Sequence, residues 1–305
     1  MTIPEPAQPV VVRVPAKVNV QLAVGPARPD GFHDLANVFL AVDLYDEITA
    51  TPADALRLTC TGPAEVPLDD SNLAARAARA LAEHTGRSPA VHLHIAKHVP
   101  VAGGMAGGSA DAAGALLACD ALWGTEVPRA DLLRLAGELG SDVPFALVGG
   151  AALGTGRGER LQPLPVGGTF HWVFALADGG LSTPAVYREF DRLTAGSEVP
   201  RPVASDALLR ALADGDPVAL ARSMGNDLQP AALSLRPALA DTLATGTKAG
   251  ALAALVSGSG PTTAFLTADP EAARGVAAAL QASGTCRATR TAASPAPGAT
   301  LLTPA

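Results

Sequence analysis

Residues 100–113 read Pro-Val-Ala-Gly-Gly-Met-Ala-Gly-Gly-Ser-Ala-Asp-Ala-Ala, and this stretch decides how the chain is read. Most side chains in its middle are a hydrogen or a methyl group, so the backbone can come close to a ligand. The Ala- and Leu-rich run Asp111–Leu122 follows at once and predicts a helix. Free N–H groups and the positive dipole end at such a helix start suit an anion such as phosphate. Ser109 adds a hydroxyl for a phosphate oxygen or Mg²⁺. The stretch lacks the Gly-Lys-Ser/Thr ending of a Walker A loop, and Met105 and Ala106 interrupt any G-x-G-x-x-G spacing. A flexible surface loop is the bland alternative, but flexible linkers seldom run into a helix whose first turn is built of such small residues.

Working outward, Val10–Val14, Asn37–Ile48, Leu56–Cys60 and Val91–Ala96 have the β-branched content or period-two alternation of strands. Asn72–His84 reads as a helix with Ser71 at its N-cap, and Arg129–Leu139 as a short helix ending at Gly140. Gly149–Gly168, rich in Gly and Pro, is the expected interdomain region. Beyond it, His171–Ala177, Ala251–Ser257, Thr262–Leu266 and Thr285–Thr291 read as strands. Pro184–Arg192, Ser205–Leu212, Pro217–Arg222, Pro237–Thr245 and Pro270–Ala282 read as helices, and the proline-bearing C-terminus as loose. Strands and helices mix without strict βαβ alternation, which predicts an α+β fold.

The chain has 305 residues, so two domains are expected, and we divide it at 1–165 and 166–305. With 48% hydrophobic and 17% charged residues it has ample material for cores. A net charge of −7 argues against a nucleic-acid partner held by phosphate neutralisation. Cys60, Cys119 and Cys286 form no C-x-x-C pair, and an odd count argues against a disulfide framework. No apolar run of membrane-spanning length and no basic-then-apolar leader is visible, so a cytoplasmic setting without a membrane partner is expected. Of 22 basic residues only Lys17, Lys97 and Lys248 are lysines, which directs attention to each. Lys97, just before the Gly-rich stretch, faces either a nucleotide or the surface. His92, His94 and His98 lie close together, but without Cys or carboxylate partners they read as exposed strand histidines rather than a zinc site.

The Gly-rich stretch resembles the central motif of the GHMP kinases, P-x-x-x-G-L-G-S-S-A-A. It looks most like the branch reading P-x-G-A-G-L-G-G-G-S-S-D-A-A, whose substrate is a cytidine diphosphate ester of methylerythritol. The chain departs at Ala102, Gly103, Met105, Ala106 and Ala110, and Ala110 loses a hydroxyl. Further blocks resemble the same branch in order: Pro15–Asn19 (PAKVN), Arg28–Leu35 (RPDGFHDL), Leu139–Phe145 (LGSDVPF), Gly156–Glu159 (GRGE), Ser182–Tyr187 (STPAVY), Asn226–Gln229 (NDLQ) and Val256–Thr262 (VSGSGPT).

The resemblance implies a two-domain GHMP kinase fold, with an N-terminal part like ribosomal protein S5 domain 2 and a ferredoxin-like C-terminal part. It implies phosphoryl transfer from ATP with Mg²⁺ to a small-molecule alcohol, by a monomer or homodimer, in non-mevalonate isoprenoid precursor synthesis. Pro100, Val101, Ala102, Gly103, Gly104, Met105, Ala106, Gly107, Gly108, Ser109 and Ala110 are the expected ATP-binding residues, with Ser109 the candidate Mg²⁺ contact. Asp142 is the expected proton acceptor; a turn or N-cap role is its structural alternative. Lys17 is its expected electrostatic partner; a solvated strand-end charge is the alternative. Phe32, His33 and Tyr187 are the expected cytosine contacts, with Asn19 and Thr183 as polar contacts to substrate. Ser257–Gly260 would form a second Gly-rich wall. Kinases acting on homoserine or mevalonate-type acids, and a non-catalytic ligand sensor of the same fold, are the competing readings.

Overall fold

A computed structural model describes residues 8–62, 66–101 and 103–302. Two strands set its frame: β1 (Val10–Ala27) and β2 (His33–Pro52) pair antiparallel from Val10↔Ala50 to Ala27↔His33. β3 (Arg57–Thr61) runs parallel to β4 (Val91–Ala96), and β4 pairs antiparallel with β2. Between β3 and β4 lies α1 (Leu73–His84). Its N-cap is Asn72 rather than the expected Ser71, because the Asn72 carboxamide oxygen accepts the Ala74 N–H at 2.8 Å while the Ser71 hydroxyl donates to Asp69.

α2 (Gly107–Trp123) begins four residues earlier than its composition suggests and takes in the second half of the Gly-rich stretch. It is apolar nearly all round and packs against both α1 and the β1–β2 pair, as a central helix must. Its seat on the sheet is close. A Cβ at Gly114 would lie 2.5 Å from Ile48 Cγ1 and 2.7 Å from Val14 Cγ2. α3 (Arg129–Leu139) and α4 (Val143–Val148) close this layer, and Phe145 of α4 stacks on Phe39 of β2 at 4.8 Å.

The expected interdomain stretch 149–168 is instead mostly structured. β5 (Ala151–Thr155) and β6 (Arg160–Pro163) form a hairpin on β2, turned by the glycines that suggested a linker. A second sheet follows. β7 (Phe170–Leu176) begins it, and α5 (Thr183–Thr194), α6 (Asp206–Asp214), α7 (Pro217–Ser223), the two-residue β8 (Gly225–Asn226), α8 (Gln229–Leu235) and α9 (Leu239–Lys248) come next. β9 (Ala253–Val256), β10 (Thr263–Thr267), α10 (Pro270–Ser283) and β11 (Ala288–Ser294) complete it in the order β11-β7-β10-β9.

Two pieces return to the first sheet. β8 pairs parallel with β1, and β12 (Thr300–Leu302), in the tail expected to be loose, pairs antiparallel with Val11–Arg13. The α+β class is therefore as read from the sequence. Cores lie on both faces of β1. Val12 and Val14 pack beneath α1 and α2, whereas past a register shift at Pro15/Ala16 the residues Ala16, Val18 and Val20 pack on Phe170, Trp172 and Phe174 of β7.

Because α2 has no room above Gly114, Gly114→Val should lower the unfolding free energy by about 1–3 kcal/mol through overpacking. A urea titration followed by circular dichroism measures this, and an unchanged midpoint would mean that α2 is not seated on the sheet.

Candidate active site

A cavity of about 640 Å³ opens between the first sheet, the start of α2 and the elements of the second half. Alternation along β1 supplies its floor. With Ala16, Val18 and Val20 turned into the core, Lys17 and Asn19 face the other way, into the cavity. Lys17 is only 5% exposed, and a buried ammonium needs partners. It donates to Asn19 Oδ1 at 2.6 Å, and Asn19 Nδ2 in turn donates to Asn37 Oδ1 at 2.7 Å. Its ion partner is Asp142, with Lys17 Nζ 3.5 Å from Asp142 Oδ2. Asp142 stands at the N-cap position of α4 yet caps no backbone N–H. The turn-residue alternative therefore does not account for its carboxylate, which is free to serve the cavity.

The roof is two glycine turns in contact. The Ser257 hydroxyl donates to the Gly104 carbonyl at 2.9 Å, and the Thr262 N–H to the Gly103 carbonyl at 3.3 Å. Gly104 has φ +75°, and a Cβ there would sit 2.0 Å from the Ser257 carbonyl oxygen, so this position requires glycine. Gly103, Gly104, Ala106, Gly107, Gly108 and Ser109 line the cavity, as do Gly258, Ser259 and Gly260. Ala106 holds φ +59° at the N-cap of α2, and no side chain caps that helix. Its first-turn N–H groups therefore have no competing side-chain acceptor for an anion.

Four expected loop contacts lie elsewhere. Met105 and Ala110 are buried in the two cores, and Pro100 and Val101 lie outside the cavity wall. Ala102 falls outside the described residues. Since Ala110 points into the core beneath α1, the hydroxyl missing there removes no cavity group. Lys97 neither faces the cavity nor reaches the surface; it is buried between Asp46 and Asp111. Burial, followed by Asp46, raises the Asp111 carboxyl well above the usual carboxylate range against the opposing pull of Lys97.

At the far end, α5 brings Thr183, Tyr187 and Asp191 to one side. The His33 ring lies 5.0 Å from the Tyr187 ring and 5.9 Å, edge on, from Phe190. His33 Nε2 meets Asp191 Oδ1 at 2.8 Å. Burial, with a smaller contribution from the Asp142 charge, pushes the Tyr187 phenol up, so it stays neutral. Phe32 is half exposed at the mouth, with the Arg157 guanidinium 5.1 Å from its ring centre. Thr183 shares a 2.8 Å hydrogen bond with Ser259, tying α5 to the second glycine turn.

The sequence reading missed Asn37, Arg157 and Asp191. Asp191 had a usable signal: it lies one helical turn after Tyr187, on the same face. Gln229, where the motif has Glu, accepts the Val256 N–H at 2.8 Å and steadies the strand entering the second glycine turn. His92 and His94 hydrogen bond to Thr59 and Thr61 on β3, and no cluster of three metal-ligating side chains occurs among the described residues.

Comparison with known proteins shows the family. The GHMP kinases N terminal domain matches residues 72–150 and the GHMP kinases C terminal domain residues 208–286. A 4-diphosphocytidyl-2-C-methyl-D-erythritol kinase of Streptomyces avermitilis is 76% identical over 96% of this chain and 99% of its own. A crystal structure of 4-(cytidine 5'-diphospho)-2C-methyl-D-erythritol kinase is 35% identical over 93% of this chain and 99% of its own, with a TM-score of 0.76. Homoserine kinase from Cytophaga hutchinsonii superposes with a TM-score of 0.75 at 21% identity over 99% and 100% of the two chains, a likeness of fold alone. The chain belongs to the GHMP kinase family, in its 4-diphosphocytidyl-2-C-methyl-D-erythritol kinase branch.

Proposed function

We propose that the protein transfers the γ-phosphoryl group of ATP to the 2-hydroxyl of 4-diphosphocytidyl-2-C-methyl-D-erythritol, in the cytoplasm, as a step of non-mevalonate isoprenoid precursor synthesis. The observation that carries this reading is the ion pair of buried Lys17 with the partly exposed Asp142, set in one cavity with the paired glycine turns and the His33–Tyr187 cluster. We divide the chain at 1–165 and 166–305, with β8 and β12 crossing back.

The phosphates of ATP lie against the N–H groups of 103–109 and the second glycine turn. Phosphoryl transfer needs positioning, charge neutralisation and a proton acceptor. Asp142 accepts the proton of the substrate hydroxyl as its oxygen bonds to the γ-phosphorus and the bond to the β–γ bridging oxygen breaks, releasing ADP. Lys17, held by Asn19, stabilises the negative charge that develops on the transferring group. The oxygen donors of the cavity, with no carboxylate or imidazole cage among the described residues, fit Mg²⁺, which keeps waters and substrate phosphates as ligands. Ser109 would hold it together with the phosphates, and bound Mg²⁺ supplies neutralisation of phosphate charge.

The cytosine stacks at Phe32 and Tyr187 and hydrogen bonds to His33. Asp191 fixes the His33 tautomer by accepting a hydrogen bond from Nε2–H, which leaves Nδ1 as an acceptor suited to an amino group rather than a carbonyl. Asp191→Ala should therefore raise KM for the cytidyl alcohol, with KM for ATP unchanged. Equal movement of both constants would refute an assignment to the base.

Lys17→Ala and Asp142→Asn should each leave a folded protein whose turnover falls by about 10²–10⁴-fold; near-wild-type turnover in either would overturn their assigned roles. The substrate itself is tested by coupled ADP release with the cytidyl alcohol, homoserine and mevalonate. Turnover on the first alone is expected. A folded sample that ignores it, or that prefers either other alcohol, would sink the reading.

A further inference from the structure

Three ionisable side chains are buried under the glycine loop, outside the cavity. Lys97 Nζ donates to Asp46 Oδ2 at 2.5 Å and to Asp111 Oδ2 at 2.7 Å, and all three side chains are 3% exposed or less. Replacing such a group by well-packed apolar residues is often neutral or stabilising, so stability alone gives weak grounds for its presence. Its connections suggest another purpose. Asp46 Oδ1 accepts the N–H groups of His98 and Val99 at 2.6 and 2.8 Å, the two residues that lead into Pro100. Asp111 lies in the opening turns of α2, at the loop's exit. A Cβ on Gly107, the first helical residue, would lie 3.0 Å from Lys97 Nζ. The ammonium thus bears on the helix start itself. The Lys97 N–H also donates to the Thr61 carbonyl at 2.7 Å, which fixes the strut to the end of β3.

The loop between these anchors is strained. Ala106 sits in the left-handed region without being glycine, and such residues persist only where the surroundings over-determine them. Met105, buried in the opposite core, holds the loop from the other side. We propose that Asp46, Lys97 and Asp111 form an ionic strut that positions the phosphate loop, with Lys97 the positioning residue that sets the distance between the loop's entry and the first turn of α2. This rests on the reading that the loop holds the phosphates of ATP. The strut touches no substrate. It acts by holding the N–H groups of 103–109 in a converging arrangement before the nucleotide arrives.

The test separates positioning from bulk stability. Asp111→Leu unties α2 from the strut and leaves the Lys97–Asp46 pair neutral, so no charge is stranded. It should fold, bind ATP about tenfold or more weakly and turn over more slowly, with KM for the alcohol unchanged, as expected for a misplaced phosphate site. Asp111→Asn keeps an acceptor for the ammonium and should restore both ATP affinity and kcat. Where Asp111→Leu does not fold, Asp46→Asn/Lys97→Met/Asp111→Leu takes its place, which removes all three ionisable groups together and keeps an acceptor oxygen for the His98 and Val99 N–H groups. Leucine variants that fold with a lower melting temperature but wild-type ATP affinity and kcat would overturn the proposal, as would failure of Asp111→Asn to restore them. ATP affinity is measured by calorimetry without the alcohol, so an error in the assigned alcohol substrate is read separately from an error in the strut.

Discussion

The close approach of α2 to the β1–β2 pair is the constraint on which the rest depends. A helix seated over Val14 and Ile48 with no side chain at Gly114 has one depth and one direction available to it. Its N-terminus therefore emerges at a fixed height above Lys17 on β1, and the Lys17 N–H donates to the Met105 carbonyl at 3.3 Å. The Gly and Ala content of 103–115 then has two separate causes. Up to Ser109 the small residues bare the backbone toward the cavity; from Ala110 onward they let helix and sheet approach. One run of small side chains builds the anion site and sets its position.

Charge is arranged by burial rather than by number. A chain of net charge −7 is acidic overall, yet its cavity combines a helix start, two glycine turns and one buried ammonium. Two of the three lysines are buried, each beside at least one carboxylate, and the two sites differ in a telling way. Lys17 has one carboxylate partner at 3.5 Å, which lines the cavity with it, so the pair can exchange partners with a substrate. Lys97 has two at 2.5 and 2.7 Å with no access to the cavity, so it can only hold. Chemistry and scaffolding use the same ion pair, separated by exposure to the ligand.

Much of this was legible in the sequence, for stated reasons. A β-branched run marked the start of β1, period-two alternation marked β2 and β4, and the glycine loop with its helix announced an anion site. Lys17, Asp142, His33 and Tyr187 lay in motifs and are gathered around one cavity. What was hidden depends on contacts distant in sequence. The surroundings of Lys97 are set by Asp46, which lies 51 residues away. The hairpin β5–β6 looked like a linker because its turn glycines dominate a short segment, and only pairing with β2 makes it a strand pair. β12 was hidden by neighbouring prolines and is fixed by the open edge of β1. Ala110 looked like a lost ligand contact because a motif records residue type and not direction.

The returning segments explain how one cavity can draw on both halves of the chain. Asn226 of β8 donates through Nδ2 to the carbonyls of Val256 and Gly258, both at 2.7 Å, while its own strand pairs with Gln21 and Leu22 of β1. One side chain thereby fixes the second glycine turn against the strand that carries Lys17. Asp227 beside it accepts the Val24 N–H at 2.9 Å, on the same strand. A two-residue strand buries too little to matter for the core. Its effect is geometric: it adds a direct tie between β1 and the second glycine turn, beside the Gly103 and Gly104 contacts and the packing of the two sheets. With it, both walls of the phosphate site are referred to β1: the first through the Lys17 N–H bond to the Met105 carbonyl, the second through Asn226.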